Sequence, residues 1–190
     1  MHETMDLDIV ASHEAGHVLL AHYYGRKVYG AYLSEQSARH ERSHVRFALT
    51  PHIREIHLDL DGLDARWPLA VRETLVTTRI LLAGPLAQAV YQQKPYRDMA
   101  GGQDYGDALA ELLRLERLRL SLPRPHRLDT SYKDANILDT LADDILSLLQ
   151  APTYAHYLGL LAQGLLAARE LNGAQIETML QPMPRHRWPL

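Results

Sequence analysis

Residues 7–24 read LDIVASHEAGHVLLAHYY, and this stretch decides which fold the chain can adopt. Apolar side chains fall on nearly every face of a helix drawn over it, which in a water-soluble protein indicates a helix enclosed by the rest of the fold. Gly25 follows directly, with Arg26 and Lys27 beyond it, an order typical of a helix C-terminus. The sequence therefore predicts a central helix near the start of the chain.

Two histidines, His13 and His17, are four residues apart inside this stretch. Residues with that spacing share one face of an α-helix, so both imidazoles can reach one metal ion. Glu14 is rotated by about 100 degrees from His13, which places its carboxylate near the ion without occupying the same coordination position. This suits a general base, because zinc lowers the pKa of water to about 7 and Glu14 can take the proton as that water attacks a peptide carbonyl.

The motif also has a non-functional interpretation, in which both histidines are core residues hydrogen-bonded to their neighbours. In this composition, with 11 His in 190 residues, a His-Glu-x-x-His string arises by chance with a probability of about 3%, so the match alone is only suggestive. Its setting favours the metal site, because a buried charge is costly unless it is paired or binds a metal. Apolar residues flank the motif on both sides: Val10, Ala11, Val18, Leu19 and Leu20.

A third ligand is needed, and the sequence excludes one common source. In one class of zinc peptidases a third histidine follows the second by six residues, but here that position is Tyr23, and Leu20 stands where the pattern has glycine. His22 is five residues beyond His17 and faces another direction. The chain has no cysteine, so the ligand must be a His, Asp or Glu from farther along.

Length and composition predict one domain over residues 1–190, with residues 182–190 as a flexible, proline-rich tail. The net charge is −3 and no Lys/Arg cluster is dense, so we expect no nucleic-acid partner. The acidic N-terminus does not resemble a signal peptide, and the longest apolar run, residues 80–91, is too short to span a membrane. We therefore expect a soluble, cytoplasmic protein without a membrane span.

The remaining pattern predicts a mainly α fold with a small β-sheet or hairpin near the first helix. Alternating apolar residues indicate strands over residues 28–33 and 45–49. Residues 52–66 are expected to be irregular, and a long helix is expected from Pro68 to about Gln92, with a kink or break at Gly84-Pro85. Further helices are predicted over residues 104–120, up to 149 after a capping box at Ser131 and Asp134, over 152–171, and up to 180.

Three later segments, together with the histidine motif, give the chain a resemblance to the peptidase domain of the FtsH-type ATP-dependent zinc metalloproteases. Residues 13–18, HEAGHV, resemble that family's zinc motif, and residues 80–87, ILLAGPLA, resemble its leucine-rich central helix with paired glycines. Residues 100–108, AGGQDYGDA, resemble the segment that supplies its third zinc ligand, and residues 161–176 resemble its last helices. The resemblance implies a zincin-like helical domain and implies that Asp104 is the third ligand beside His13 and His17.

The chain also departs from the family. Pro85, Gln88 and Ala89 stand where an arginine and two glutamates are usual, which puts the local helix geometry and any supporting role of those positions in doubt. The resemblance covers the peptidase domain only, so we expect a stand-alone domain without the family's ATPase module or membrane anchor. Residues 101–106 have half of a phosphate-loop spacing, but Asp107-Ala108 replaces the required Lys-Ser/Thr, so phosphate binding is not expected.

Two other carboxylates compete with Asp104 for the third ligand position. Glu73 belongs to the long helix, and many two-histidine zinc peptidases take a glutamate from a later helix. Its place near Pro68 and beside Arg72 favours an exposed charge instead. Asp107 lies one turn beyond Asp104 and either orients a ligating histidine or is a solvated residue. Without the resemblance, Asp104 itself could equally be a helix cap.

These features predict a zinc-dependent metalloendopeptidase, with Zn²⁺ held by His13, His17 and Asp104 and with Glu14 as the catalytic base. Its expected substrates are flexible or unfolded polypeptides, cleaved without ATP. Residues 45–49 could pair with an extended substrate or simply close the sheet. The leucine-rich stripe over residues 109–120 is expected to be core and solvated face rather than a partner surface.

Two kinds of partner are left open by the sequence: further copies of the chain, forming a homo-oligomer, or a separate unfoldase. The alternative function is a non-catalytic helical interaction or regulatory protein that keeps a peptidase-derived, zinc-binding fold. Retention of Glu14 argues against that alternative, because a purely structural metal site needs no base.

Overall fold

The computed structural model describes residues 7–34, 44–48, 60–99, 102–121 and 137–186, although the side chains of residues 60–65 and 121 are not described. Helices dominate this part of the chain, as the sequence predicts. The elements are α1 (Leu7–Tyr23), β1 (Val28–Tyr32), β2 (His44–Phe47), α2 (Leu60–Gln92), a 3-10 turn (Tyr96–Met99), α3 (Gln103–Ser121), α4 (Ile137–Gln150), α5 (Pro152–Ala168), β3 (Glu170–Asn172) and α6 (Gly173–Leu180).

The first helix lies at the centre of the fold. Its side chains are buried on nearly every face, and six apolar ones are fully buried: Ala11, Ala15, Val18, Leu19, Leu20 and Ala21. It packs against α2 on one side and α5 on another. The expectation of an enclosed helix is therefore confirmed, and its cause is the all-round apolar sequence of α1.

The sheet has three antiparallel strands in the order β2-β1-β3. The sequence predicted β1 and β2 but placed residues 170 and 171 in a helix. In the structure α5 ends at Ala168, because Arg169 adopts a left-handed conformation with φ of 62° and closes the last turn through its backbone N–H to the Leu165 carbonyl oxygen. Non-glycine residues adopt this conformation rarely, so no residue type in this segment indicates that the helix stops there.

The long helix α2 also differs from the expectation. It begins at Leu60, eight residues before Pro68, and it continues through Gly84 and Pro85 without interruption. Each proline removes only one donor from a helix of 33 residues, and packing of residues such as Trp67, Ile80 and Leu86 in the core stabilises the helix on both sides. The predicted irregular segment 52–66 is therefore wrong for residues 60–66, while residues 52–59 lie outside the described ranges.

The C-terminal region has the expected helix break, but the start of the expected flexible tail is packed against the fold. Asn172 caps α6 and forms a capping box with Gln175, in line with the helix break expected at Asn172-Gly173. The first residues of the expected flexible tail are packed: Met183 is buried, and the His186 N–H donates to the Tyr23 carbonyl oxygen at 2.8 Å. Residues 187–190, and the capping box predicted at Ser131 and Asp134, lie outside the described residues.

Within the described residues, no helix has both the length and the apolar character needed to cross a bilayer.

Candidate metal centre

The two histidines of α1 direct their Nε2 atoms at one point. His13 Nε2 lies 3.1 Å from His17 Nε2, and the two rings meet edge to face. The pair lies on the side of α1 that faces α2, where a four-residue spacing keeps both side chains in line. Each ring is only partly enclosed: 21% of the His13 side chain and 9% of the His17 side chain are exposed. One side of the pair is therefore open to solvent.

The opposite ring nitrogens are both held by residues of α2. His17 Nδ1 donates to the Ile80 carbonyl oxygen at 2.7 Å, and His13 Nδ1 donates to Gln88 Oε1 at 3.2 Å. A carbonyl oxygen can only accept, so the proton of neutral His17 sits on Nδ1 and the Nε2 lone pair faces His13. Two lone pairs cannot face each other at this distance without a proton or a cation between them.

Asp104 completes the group from the first turn of α3. Its Oδ2 atom lies 2.9 Å from His13 Nε2 and 3.6 Å from His17 Nε2. Ligand atoms around a tetrahedral zinc ion with bonds of about 2.0–2.1 Å are about 3.3–3.4 Å apart. The three observed separations, 2.9, 3.1 and 3.6 Å, bracket that value. The donor set and its spacing therefore fit a zinc ion.

The Asp104 carboxylate is strongly stabilised in its charged form. Burial by itself would raise the pKa of Asp104, but the interactions of its carboxylate with the protonated forms of the His13 and His17 rings outweigh burial and lower that pKa well below its usual value. A cation between the three groups would lower the pKa of Asp104 in the same way. Asp104 is therefore ionised across the physiological pH range, as a metal ligand must be.

Glu14 behaves in the opposite way. Its side chain is buried, and this burial raises the pKa of Glu14 to about 7. The charge of His13 lowers this pKa, Asp104 raises it, and His44 of β2 lowers it. A carboxylate with a pKa near 7 can both accept and return a proton at neutral pH, which is what a general base that later acts as an acid requires.

The backbone of α2 lies against the Nε2 atoms of both histidines at Gly84. A Cβ atom at this position would lie 2.2 Å from His17 Nε2 and 2.7 Å from His13 Nε2. At the neighbouring contact between α1 and α2, a Cβ at Gly16 would lie 2.4 Å from the Ala83 carbonyl oxygen. Only glycine at both positions allows the two helices this close approach. Gly84 therefore keeps the space around the Nε2 atoms free.

The two rival carboxylates lie elsewhere. Glu73 is buried rather than exposed, which corrects the sequence expectation: its carboxylate accepts a hydrogen bond from Arg26 Nη2 and a second, at 3.3 Å, from Arg72. This ion pair is buried because other elements pack around α2. The position of Glu73 beside Arg72 in the sequence does not indicate such packing. Asp107 is exposed and accepts a hydrogen bond from Gln103 Nε2 at 2.9 Å. Neither is placed with the two histidines.

Sequence reasoning missed the residues that support the histidines. In the sequence Gln88 is recognisable only as a departure from the family pattern, and the Ile80 carbonyl has no side-chain signal at all. Gln88 is four residues after Gly84 and so faces the same side of α2, which is the one clue that could have identified it.

In comparisons with known proteins, the chain matches no protein-family model and no curated protein sequence.

Proposed function

We propose that this protein is a zinc-dependent metalloendopeptidase of the zincin type. The observation that carries the proposal is the convergence of His13, His17 and Asp104 on one point, with the buried Glu14 beside them. A zinc ion held there supplies a Lewis acid for a polarised carbonyl or water. A structural zinc site is normally closed by four protein ligands, whereas three side chains converge here. The charges of His13 and Asp104 also act on the buried Glu14 carboxylate, whose pKa is raised.

The residues of the chain divide the chemical work. His13 and His17 present their Nε2 lone pairs because Ile80 and Gln88 hold the Nδ1 protons, and Asp104 contributes a negative charge. Glu14 accepts a proton from the water that adds to the peptide carbonyl carbon. It then returns this proton to the amine nitrogen as the C–N bond breaks, so that one water is consumed per bond cleaved.

Flexible polypeptide is the substrate class that we propose. Within the described part of the sheet, β2 is an edge strand, and it lies against α1. An extended peptide could add to this edge by backbone hydrogen bonds and so run past the catalytic helix. A folded substrate would first have to open locally to offer such a segment. A flexible polypeptide needs no unfolding before cleavage, so we expect its cleavage to be independent of ATP.

The test combines metal analysis with a peptide-cleavage assay on three forms of the protein. The wild type should carry about one zinc per chain and cleave an unstructured peptide. Glu14→Gln should keep the zinc and lose nearly all cleavage, whereas His17→Ala should lose both. A chain that binds no zinc under any condition would contradict the proposal. Zinc binding without cleavage in the wild type would instead favour a non-catalytic protein.

A further inference from the structure

An exposed apolar face runs along α3. Leu109, Leu113 and Leu120 are 42%, 50% and 64% exposed. On a helix with 3.6 residues per turn these three positions and Gly106 fall within an arc of about 60 degrees. We call this set, Gly106, Leu109, Leu113 and Leu120, the leucine face. The opposite side of α3 is buried through Ala108 and Leu115, so the core does not need these leucines.

Gly106, in the first turn of α3, has open space above it in the described structure. A Cβ at Gly106 would meet no atom within 4 Å, in contrast to the crowded Gly16 and Gly84. Gly159 of α5 is open in the same way, so an open glycine does not by itself indicate a partner. At Gly106 the open position lies within the exposed leucine face, where a side chain of another copy could be placed.

The leucine face is complementary to itself. Leu113 is seven residues from Gly106 and seven residues from Leu120. If two α3 helices cross antiparallel at Leu113, Leu120 of each copy lies over Gly106 of the other. Leu109 then lies opposite Arg117, whose aliphatic stem can cover it. This is the arrangement expected of a twofold interface, in which one patch meets its own copy.

The charges of α3 favour the same antiparallel direction. Its first half, residues 103–112, contains three acidic residues and no Lys or Arg: Asp104, Asp107 and Glu111. Its second half, residues 113–121, contains three arginines and one acidic residue: Arg114, Arg117, Arg119 and Glu116. Antiparallel pairing brings each acidic half beside a basic half and opposes the two helix dipoles, whereas parallel pairing would place like charges together. Within each protomer Glu111 already pairs with Arg114, and Glu116 pairs with Arg119. The two halves still differ in net charge when Asp104 is engaged with the histidines, because the first half keeps two carboxylates and the second half has three arginines against one glutamate.

We propose that the leucine face is a homodimer interface, in which two copies of this chain pair their α3 helices antiparallel about Leu113. The proposal is independent of catalysis, although it places the partner copy's leucine face beside the first turn of α3, where Asp104 lies. One helix face is smaller than the roughly 1,200–2,000 Å² that stable interfaces bury, so the dimer is weak and depends on concentration.

Sedimentation of the full chain over a range of concentrations tests the interface. The wild type should shift from monomer to dimer, and Leu113→Glu should raise the dissociation constant by about tenfold or more, because two carboxylates would meet at the symmetry axis. Tyr29→Glu is the matched control, since Tyr29 is 52% exposed and lies on β1. A wild type that stays monomeric at every concentration would overturn the proposal. The same holds if the monomer binds vesicles of anionic phospholipid through α3, because the leucine face would then be a membrane-binding surface.

A compensating pair tests the register. A Cβ at Gly106 meets no atom within 4 Å, so Gly106→Leu is expected to keep the fold but to block the partner's Leu120 and weaken the dimer. Adding Leu120→Ala to Gly106→Leu should restore space and recover much of the association. If Gly106→Leu left the dissociation constant unchanged, the antiparallel register would be wrong.

Cysteine cross-linking tests the direction, and the absence of native cysteine makes the result unambiguous. Leu113→Cys should form an intermolecular disulfide on oxidation. Leu120→Cys should not, because the two copies of this residue would be about 21 Å apart along an antiparallel pair. Efficient cross-linking of both variants would indicate a parallel pair and overturn the proposal.

Discussion

Each imidazole of the candidate site is held through its Nδ1 atom, but the two acceptors differ. For His17 the acceptor is the Ile80 carbonyl oxygen, which is fixed in the backbone of α2. For His13 it is the Gln88 side-chain amide, a neutral group whose two ends have opposite hydrogen-bonding roles. The orientation of His13 therefore depends on one replaceable side chain, and the zinc affinity should depend on it too.

Replacing Gln88 should change zinc affinity without removing a ligand. Gln88→Ala should weaken zinc binding by about 10–100-fold, because His13 loses the acceptor that fixes its tautomer. Gln88→Glu should strengthen zinc binding, because a carboxylate that accepts the Nδ1 proton makes the His13 Nε2 atom a better electron-pair donor to the metal. Competition with a chromophoric chelator measures both effects. Gln163→Ala, an exposed glutamine of α5, is the control and should leave zinc affinity unchanged.

Three carboxylate variants distinguish the third ligand from its rivals. Asp104→Asn should lower zinc affinity by about 100-fold or more, because it removes a charge next to both histidines. Glu73→Gln should keep zinc affinity but cost about 1–3 kcal/mol of stability, since Arg26 is left buried beside a neutral group. Asp107→Asn should change zinc affinity little. Zinc titration and urea unfolding separate the two effects, and equal zinc affinity in Asp104→Asn and wild type would contradict the assignment.

The local residues of the site were predictable, whereas their supports were not. His13, Glu14 and His17 follow from a spacing within one helix turn. Asp104 could be named only through the family resemblance, because 91 residues separate it from His13. Gln88 is 75 residues from its partner, and no pattern in either segment joins them. Contacts of this kind are decided by how α1 and α2 pack, which a single sequence does not reveal.

At the level of elements, the packing of α1 on α2 positions the site. The two helices meet through small residues, with Gly16 against Ala83 and Ala87, and with Gly84 against both histidines. This close approach lets a backbone carbonyl of α2 reach His17. It also explains why Pro85 is tolerated, because the tight packing of α2 outweighs the loss of one helix hydrogen bond.

Adding one methyl group at Gly84 should abolish the metal site. A Cβ there would overlap the Nε2 atoms, so Gly84→Ala should lower zinc affinity by about 100-fold or more and destabilise the fold by about 1–3 kcal/mol through overpacking. Gly159→Ala is the matched control, because this glycine of α5 has no atom near its missing Cβ. That variant should keep zinc and gain up to about 1 kcal/mol. Calorimetric zinc titration measures the affinity, and thermal unfolding measures the stability. Full zinc affinity in Gly84→Ala would show that α1 and α2 are less closely packed at Gly84 than described.

The elements that are predicted less well from sequence are those whose existence or bounds depend on contacts with distant parts of the chain. Strand β3 has three residues and exists because it pairs with β1, while Arg169 stops α5 without glycine. The early start of α2 at Leu60 crosses a proline that usually marks a helix beginning. In contrast, α1, α3 and α6 carry their own boundary signals and begin or end close to the predicted residues.

At the scale of the whole molecule, the segment after α6 packs back onto the end of α1. His22 is buried there, with Arg185 Nε donating to its Nε2 atom at 3.2 Å and Glu177 Oε2 3.5 Å from its Nδ1 atom. Burial, followed by the charge of Arg185, lowers the pKa of His22, although Glu177 and the Leu180 backbone oppose the shift. Burial and Arg79 also lower the pKa of His186. Both groups are therefore held neutral by the fold.

Stability should fall as the pH is lowered below about 6.5, because the unfolded histidines then bind protons that the folded His22 and His186 do not. Glu14 has the opposite effect on stability, because its raised pKa lets the folded state bind a proton at a higher pH than the unfolded state does. The contribution of His22 is therefore measured by comparing a variant with the wild type. The difference in unfolding free energy between pH 7.5 and pH 5.5 should be smaller in His22→Gln than in wild type. His156→Gln, on an exposed position of α5, should leave that difference unchanged.

The central strand β1 has consequences for how the protein is made. Tyr32 pairs with Glu170, so one edge of the sheet cannot form until 138 further residues have been synthesised. At about 5–20 residues per second this takes roughly 7–28 s. Both histidines are already in the nascent chain when this interval begins, and Asp104 is added about halfway through it. The three proposed metal ligands therefore leave the ribosome before the sheet and α5 can enclose α1. During this interval an apolar helix is uncovered, and chaperones would have the opportunity to bind it.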